Sequence, residues 1–146
     1  DDKMLHILNL EAINLPEFRE VRGKDWVSYG VRNHFPGKLV GLLNTSAIHN
    51  TAVQAKLDAV IGEGIRIMGD DIANSTGETL NEVYEKAALD YLVFGGYSLN
   101  PIWNRAGDKI VELYHLPFAN VRSGKLDEMD RVNDYYYSSN WEKETT

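Results

Sequence analysis

The spacing of apolar residues changes period at Gly95-Gly96, and that change limits the folds open to this chain. Before it, Leu80, Val83, Tyr84, Ala87, Ala88, Tyr91 and Leu92 recur at three- and four-residue steps, which puts them on one face of a helix. After it, YSLNPIWNR, the turn residues Ala106-Gly107-Asp108 and KIVELYHL read as the two strands of a hairpin. Pro101 has no N–H to give a ladder, so the first of these strands belongs at an edge or beside a bulge. Two more extended pieces, PFANVRSG and RVNDYYYSSNW, flank the polar turn GKLDEMD. Helices first and strands later predict an α+β fold, not a regularly alternating one.

The first helical pattern begins at Phe35-Pro36, where a proline in the first turn loses no hydrogen bond. Leu39, Leu42, Leu43 and Ser46 share a face, and Ala52, Val53, Leu57, Val60 and Ile61 continue it. Asn44, Thr45 and Ser46 are each able to cap a new helix, so two helices, or one bent helix, meet there. Gly62 and Gly64 stop the second half, and residues 65–68 (IRIM) read as a short strand or buried connector. Ser75 with Glu78 has the spacing of a capping box for the helix that follows. Residues 4–13 read as a strand or extended arm. The polar stretch after them has loop composition, with Trp26 and Tyr29 anchoring it to the core. The last residues, WEKETT, show no closing element. The expectation is one domain over residues 1–146: an arm and loop (1–33), a helical part (34–96) and a β-rich part (97–141). In it, an N-terminal arm and two to three helices pack on a small, mostly antiparallel β-sheet.

Little in the chain points to chemistry. It has no cysteine, which removes disulfides, thiolate metal sites and cysteine nucleophiles. A net charge of -7 without a basic run argues against a broad nucleic-acid-binding face. No apolar run is long enough to span a bilayer, and acidic residues stand where a secretion signal would be basic. The start at Asp1 instead of methionine fits a trimmed or processed chain. His49 has neither a histidine nor a cysteine at metal-ligand spacing, and a structural role is expected for it. Ser46 lies one turn from His49, yet it has no nucleophile elbow and no orienting acid. The sequence IGEGIRIMGDD matches no phosphate loop. Asn44 and Asn74 begin glycosylation sequons at positions where helix caps are also expected. No catalytic, cofactor-binding or metal-binding residue is assigned. Two alternatives remain. One is a metal-dependent hydrolase or nuclease using Asp70, Asp71 and one of Asp127, Glu128 or Asp130. The other is a protein-binding adaptor that uses the aromatic strand Tyr135-Tyr136-Tyr137 with Trp103 and Trp141.

Taken in order, the motifs resemble the N-terminal part of tailed-bacteriophage portal proteins. The stretch DWVSYGVRNHFPGKLVGLLNTSAIHNTAVQAKLDAVIGEGI carries the entry at Asn33, Phe35, Pro36 and Leu39, the step from Ser46 to His49, and the exit at Lys56, Val60, Gly62 and Gly64. LDYLVFGGYSLNPIWN, ELYHLPFANVRSGK and YYYSSNW follow in the family's order, with Asp90, Gly95, Pro117, Val121 and Arg122 at comparable places. The resemblance covers roughly residues 20–141. Portals are several times longer and continue into stem helices, a clip and often a crown, so it implies the wing region only. It implies a non-catalytic part of a homo-oligomeric ring of about twelve subunits at a capsid vertex. DNA is packaged and ejected through that ring without specific binding by this segment. Capsid protein, terminase and a tail adaptor are the implied partners of the full-length parent, and the implied location is the virion, after assembly in the host cytoplasm. The residues expected to matter for structure and assembly are Pro36, Ser46, His49, Gly62, Gly64, Tyr136 and Trp141.

Overall fold

The structure, a computed structural model, describes residues 16–144. The strand or arm expected over residues 4–13 lies outside them. The chain is a small α+β fold, in which, among the described residues, three helices of more than ten residues are accompanied by three antiparallel two-stranded ladders.

Ser46 divides the first helical stretch. Helix α1 (Phe35–Thr45) starts with Pro36 buried in its first turn and ends when Ser46 turns extended, at φ -99° and ψ 103°. Helix α2 (Ala47–Ile61) then starts with the Ser46 hydroxyl accepting from the His49 N–H at 3.3 Å. Asn50 staples the corner, donating from its side chain to the Leu43 carbonyl at 3.1 Å. One serine thus ends one helix and caps the next. Gly62 takes a positive φ of 53°, and its N–H closes the last turn of α2 on the Asp58 carbonyl.

The connector after α2 differs from expectation. Residues 66–68 lie in a turn, and Ile67 and Met68 are 80% and 65% exposed. The reason lies in Asn81, whose side-chain oxygen takes the Ile65 N–H at 2.8 Å while its own backbone N–H donates to the Gly69 carbonyl at 2.8 Å. Those bonds pin the segment as a loop and leave no strand partner. A Cβ on Gly69 would overlap the Ile65 carbonyl oxygen, so the loop closes only around glycine.

The capping box of helix α3 (Leu80–Phe94) is Thr79 with Glu82, four residues beyond the expected pair. Thr79 accepts from the Glu82 N–H at 3.2 Å, and Glu82 accepts from the Thr79 N–H at 2.7 Å. Glu78 is engaged elsewhere. Its carboxylate accepts from Asn74 at 2.7 Å and pairs with Lys86. Asn74 is buried and also bonds the Thr76 and Glu78 N–H groups and the Leu113 carbonyl, which occupies both ends of its amide. The second sequon is therefore a buried loop clamp. The bonds from Lys86, Asn74 and Thr76 hold the Glu78 carboxyl below its ordinary range. A lowered folded-state value means that stability is present above the unfolded value and is lost as pH falls through the folded one. Amide exchange at residues 73–79 is expected to accelerate on acidification through and below the carboxylate range, and Glu78→Gln should flatten that response.

Strands β1 (Phe18–Glu20) and β2 (Val27–Tyr29) pair antiparallel where a loop was expected. Three-residue strands are too short to show a period among polar neighbours, and the Phe18 and Tyr29 rings stack at 4.9 Å across the pair. The predicted hairpin forms from β3 (Ser98–Trp103) and β4 (Ile110–Leu116), with Pro101 opposite Leu113 and a register irregularity between Ile102 and Trp103. A third ladder pairs β5 (Val121–Ser123) with β6 (Tyr135–Tyr137), and a bridge between Trp26 and Gly124 links it to the first. The chain end also departs from expectation, because Trp141–Glu144 forms a single helical turn, α4, in place of an unclosed tail. Burying Trp141 favours that turn, as its indole N–H donates to the Asn120 carbonyl at 2.9 Å. The helical core is Val53 and Leu57 of α2 against Val83, Ala87 and Ala88 of α3.

Candidate functional site

Two buried polar nodes join these elements. The first is centred on Arg122 of β5, which is 4% exposed. Its Nε donates to the Asn33 side-chain oxygen, and its Nη1 donates to the carbonyls of Ala119 and Val121 at 2.8 and 2.7 Å. The guanidinium lies 5.0 Å from the Trp141 ring, and Trp141 meets Trp26 edge-on at 5.0 Å. Among the described residues no carboxylate pairs with it, so carbonyls, one amide and an aromatic face hold the charge. Burial lowers its pKa to about 10, which still leaves it protonated at neutral pH. Asn33 takes a left-handed conformation at φ 62°, and its side-chain oxygen also accepts from the Tyr29 N–H at 3.0 Å. Its Nδ2 is buried without a partner, a cost set by the two bonds on the other end of the amide.

The second node is Asp90 on α3. One carboxylate oxygen accepts from His115 Nε2 at 2.7 Å and from the Phe118 N–H at 2.8 Å, which ties α3 to β4 and to the 3₁₀ turn Phe118–Asn120. Both side chains are nearly buried, at 13% and 11% exposure for Asp90 and His115. A Cβ on Gly96 would stand 2.9 Å from the Phe118 ring, and that close approach seats Phe118 under the end of α3.

The residues singled out in the sequence are dispersed. Pro36 is buried at the start of α1, Ser46 and His49 sit at the helix joint, and Gly62 and Gly64 lie past the end of α2. The Ser46 bond goes to the backbone N–H of His49, so hydroxyl and imidazole do not form a reactive pair. Tyr136 is half-buried on β6, where burial first, then Asp134 and Asp25, raise its pKa. Trp141 is buried in the Arg122 node, whereas Trp103 stands 53% exposed at the hairpin tip.

Two of the acidic residues of the alternative chemistry, Asp70 and Asp127, have other partners. Asp127 folds back on its own turn, accepting from the Met129 and Arg131 N–H groups and from Asn133, and those bonds lower its pKa. Asp70 accepts from the Asn81 side chain in the first turn of α3. Among the described residues, no three of His, Asp and Glu gather where a metal ion could sit. No described helix is long and apolar enough to cross a membrane.

What the surface offers is apolar and concave. A cleft of about 570 Å³ opens between the β1–β2 and β5–β6 ladders on one side and Phe94, Leu116 and Phe118 on the other. A second, of about 410 Å³, lies along α3 against the base of the β3–β4 hairpin, with Tyr91, Tyr97 and Val60 at its rim. Neither holds a nucleophile beside a base. Compared with known proteins, the chain matches no protein-family model, no curated protein and no solved structure.

Sequence reasoning reached Asn33, Asp90 and Arg122 only through the family resemblance and gave none of them a role. A lone Asn, Asp and Arg in a chain that is 25% charged carry no periodic signal. Their importance comes from contacts made far along the chain.

Proposed function

We propose that this chain is the wing-like part of a tailed-bacteriophage portal protein, a structural piece of a ring at the capsid vertex that makes and breaks no bond itself. One observation carries the proposal. Asn33, Ser46, Asp90 and Arg122, which the resemblance singles out, lock successive elements together, while bulky apolar side chains stand on the surface. Ile48, Met129, Val31 and Tyr135 are each at least 70% exposed. Such a division suits a rigid module that holds neighbours in register. The acidic balance supports a conduit wall that does not grip phosphate.

The test is the native mass of the full-length parent protein. A closed ring of about a dozen copies, the number the portal resemblance implies, is expected; it requires head-to-tail contacts whose rotation divides a full turn, since any other rotation runs on as a filament. A parent that stays monomeric at high concentration would count against the proposal.

A further inference from the structure

The 570 Å³ cleft has a wall that the chain itself leads into. Strand β1 contributes Phe18 to that wall, where it is 66% exposed and stacks on Tyr29, which also lines the cleft. The Gly30 N–H carries the ladder one step further by donating to the Glu17 carbonyl at 3.0 Å. The backbone two residues after Leu15 is therefore fixed beside the cleft. Two other lining residues, Tyr97 and Tyr135, are 55% and 70% exposed, so the aromatic wall is open to a further apolar surface.

The sequence just before Pro16 has the composition to cover that wall, with Leu5, Ile7, Leu8, Leu10, Ile13 and Leu15. Reach is sufficient. At full extension residues 4–15 span about 40 Å, and no more than about 17 Å of chain separates Ile13 from Phe18. Charge agrees as well. Arg122 is the one charged side chain among the described lining residues, and no described carboxylate pairs with it. Residues 1–15 carry Asp1, Asp2 and Glu11 against Lys3, a balance that opposes the cation. The attachment point selects among the alternatives. No residue of β1 or β2 lines the 410 Å³ cleft, so the larger cleft is the nearer one. A segment joined to the wall also meets it at an effective concentration far above that of a free neighbour at micromolar level.

We propose that the 570 Å³ cleft is the docking site for residues 4–15 of the same copy, whose leucine and isoleucine side chains cover its aromatic wall. The proposal goes beyond the ring reading and does not depend on it, since it concerns one copy of this chain. The absence of cysteine supplies the test, because Asn9→Cys then carries a single nitroxide label. In nuclear magnetic resonance spectra of the labelled chain, the amides of Val121 and Ser123 in the cleft wall should broaden more than those of Val83 and Ala87, which line the other cleft. Changing Leu8→Asp and Leu10→Asp together in the labelled chain should abolish that difference. Mixing a labelled chain of natural isotope content with an isotope-enriched chain that lacks the label should leave the enriched signals sharp. Broadening centred on Val83 and Ala87, equal broadening throughout, a pattern that survives the two aspartates, or broadening across the mixture would each overturn the proposal.

Discussion

Replacing Arg122 with methionine is expected to destabilise the chain by about 3 kcal/mol and to lower its melting temperature by about 10 °C. Methionine keeps most of the stem volume, so the loss reports the guanidinium. Without it, the Asn33 side-chain oxygen and the carbonyls of Ala119 and Val121 lose donors inside a buried node, at about 1 kcal/mol or more each. The contact with the Trp141 face adds about 0.5–2 kcal/mol. The desolvation that pulls the arginine down to about 10 works in the other direction, and removing the charge returns part of that cost. The bonds outweigh it because one guanidinium supplies donors to Asn33, Ala119 and Val121 at once and lies against the Trp141 ring. Chemical denaturation of wild type and variant checks the size, and near-ultraviolet circular dichroism of Trp26 and Trp141 should change with it.

The second large effect is expected at Asp90. Asp90→Ala removes the acceptor shared by His115 Nε2 and the Phe118 N–H, and both donors are left in a site nearly closed to water. A loss of about 2–3 kcal/mol follows from two stranded donors. Asp90→Asn keeps one carbonyl oxygen in place and should lose about half of that. A specific signature separates this from general weakening: amide exchange at Phe118 should accelerate more than exchange in α2, because Phe118 loses its own partner while α2 keeps its bonds. Equal acceleration in both elements would mean that Asp90 acts only through overall stability.

What was readable in the sequence followed from local chemistry. Pro36, the Ser46 joint, the α3 stripe and the hairpin after Gly95 depend on neighbours a few residues away, and the structure has them in those places. The capping box shows where local rules become ambiguous. Ser75 with Glu78 and Thr79 with Glu82 have the same spacing, and the choice is made by Lys86 and Leu113, which recruit Glu78 and Asn74 into a loop. Residues 65–68 look like a strand by composition, and only Asn81, 16 residues from Ile65, makes them a loop. The Arg122 node was beyond reach for the same reason, as its partner Asn33 is 89 residues away. Trp141 closes the chain end because Asn120 and Arg122 wait for it, which a tail read as WEKETT does not disclose. In β6 Tyr136 is half-buried between the exposed Tyr135 and Tyr137, as the two-residue period of a strand places them on opposite faces.

Buried polar side chains act here as joints between elements, and a double-mutant cycle between Asn33 and Arg122 distinguishes one shared joint from two independent residues. Asn33→Gly removes the side chain while keeping the left-handed backbone at φ 62° without strain, and Arg122→Met removes the donor. If the two side chains form one joint, the double variant should be less destabilised than the sum of the singles, by about 1.5 kcal/mol or more. Strictly additive losses would mean that the two side chains act independently and that no joint between them locks the elements together.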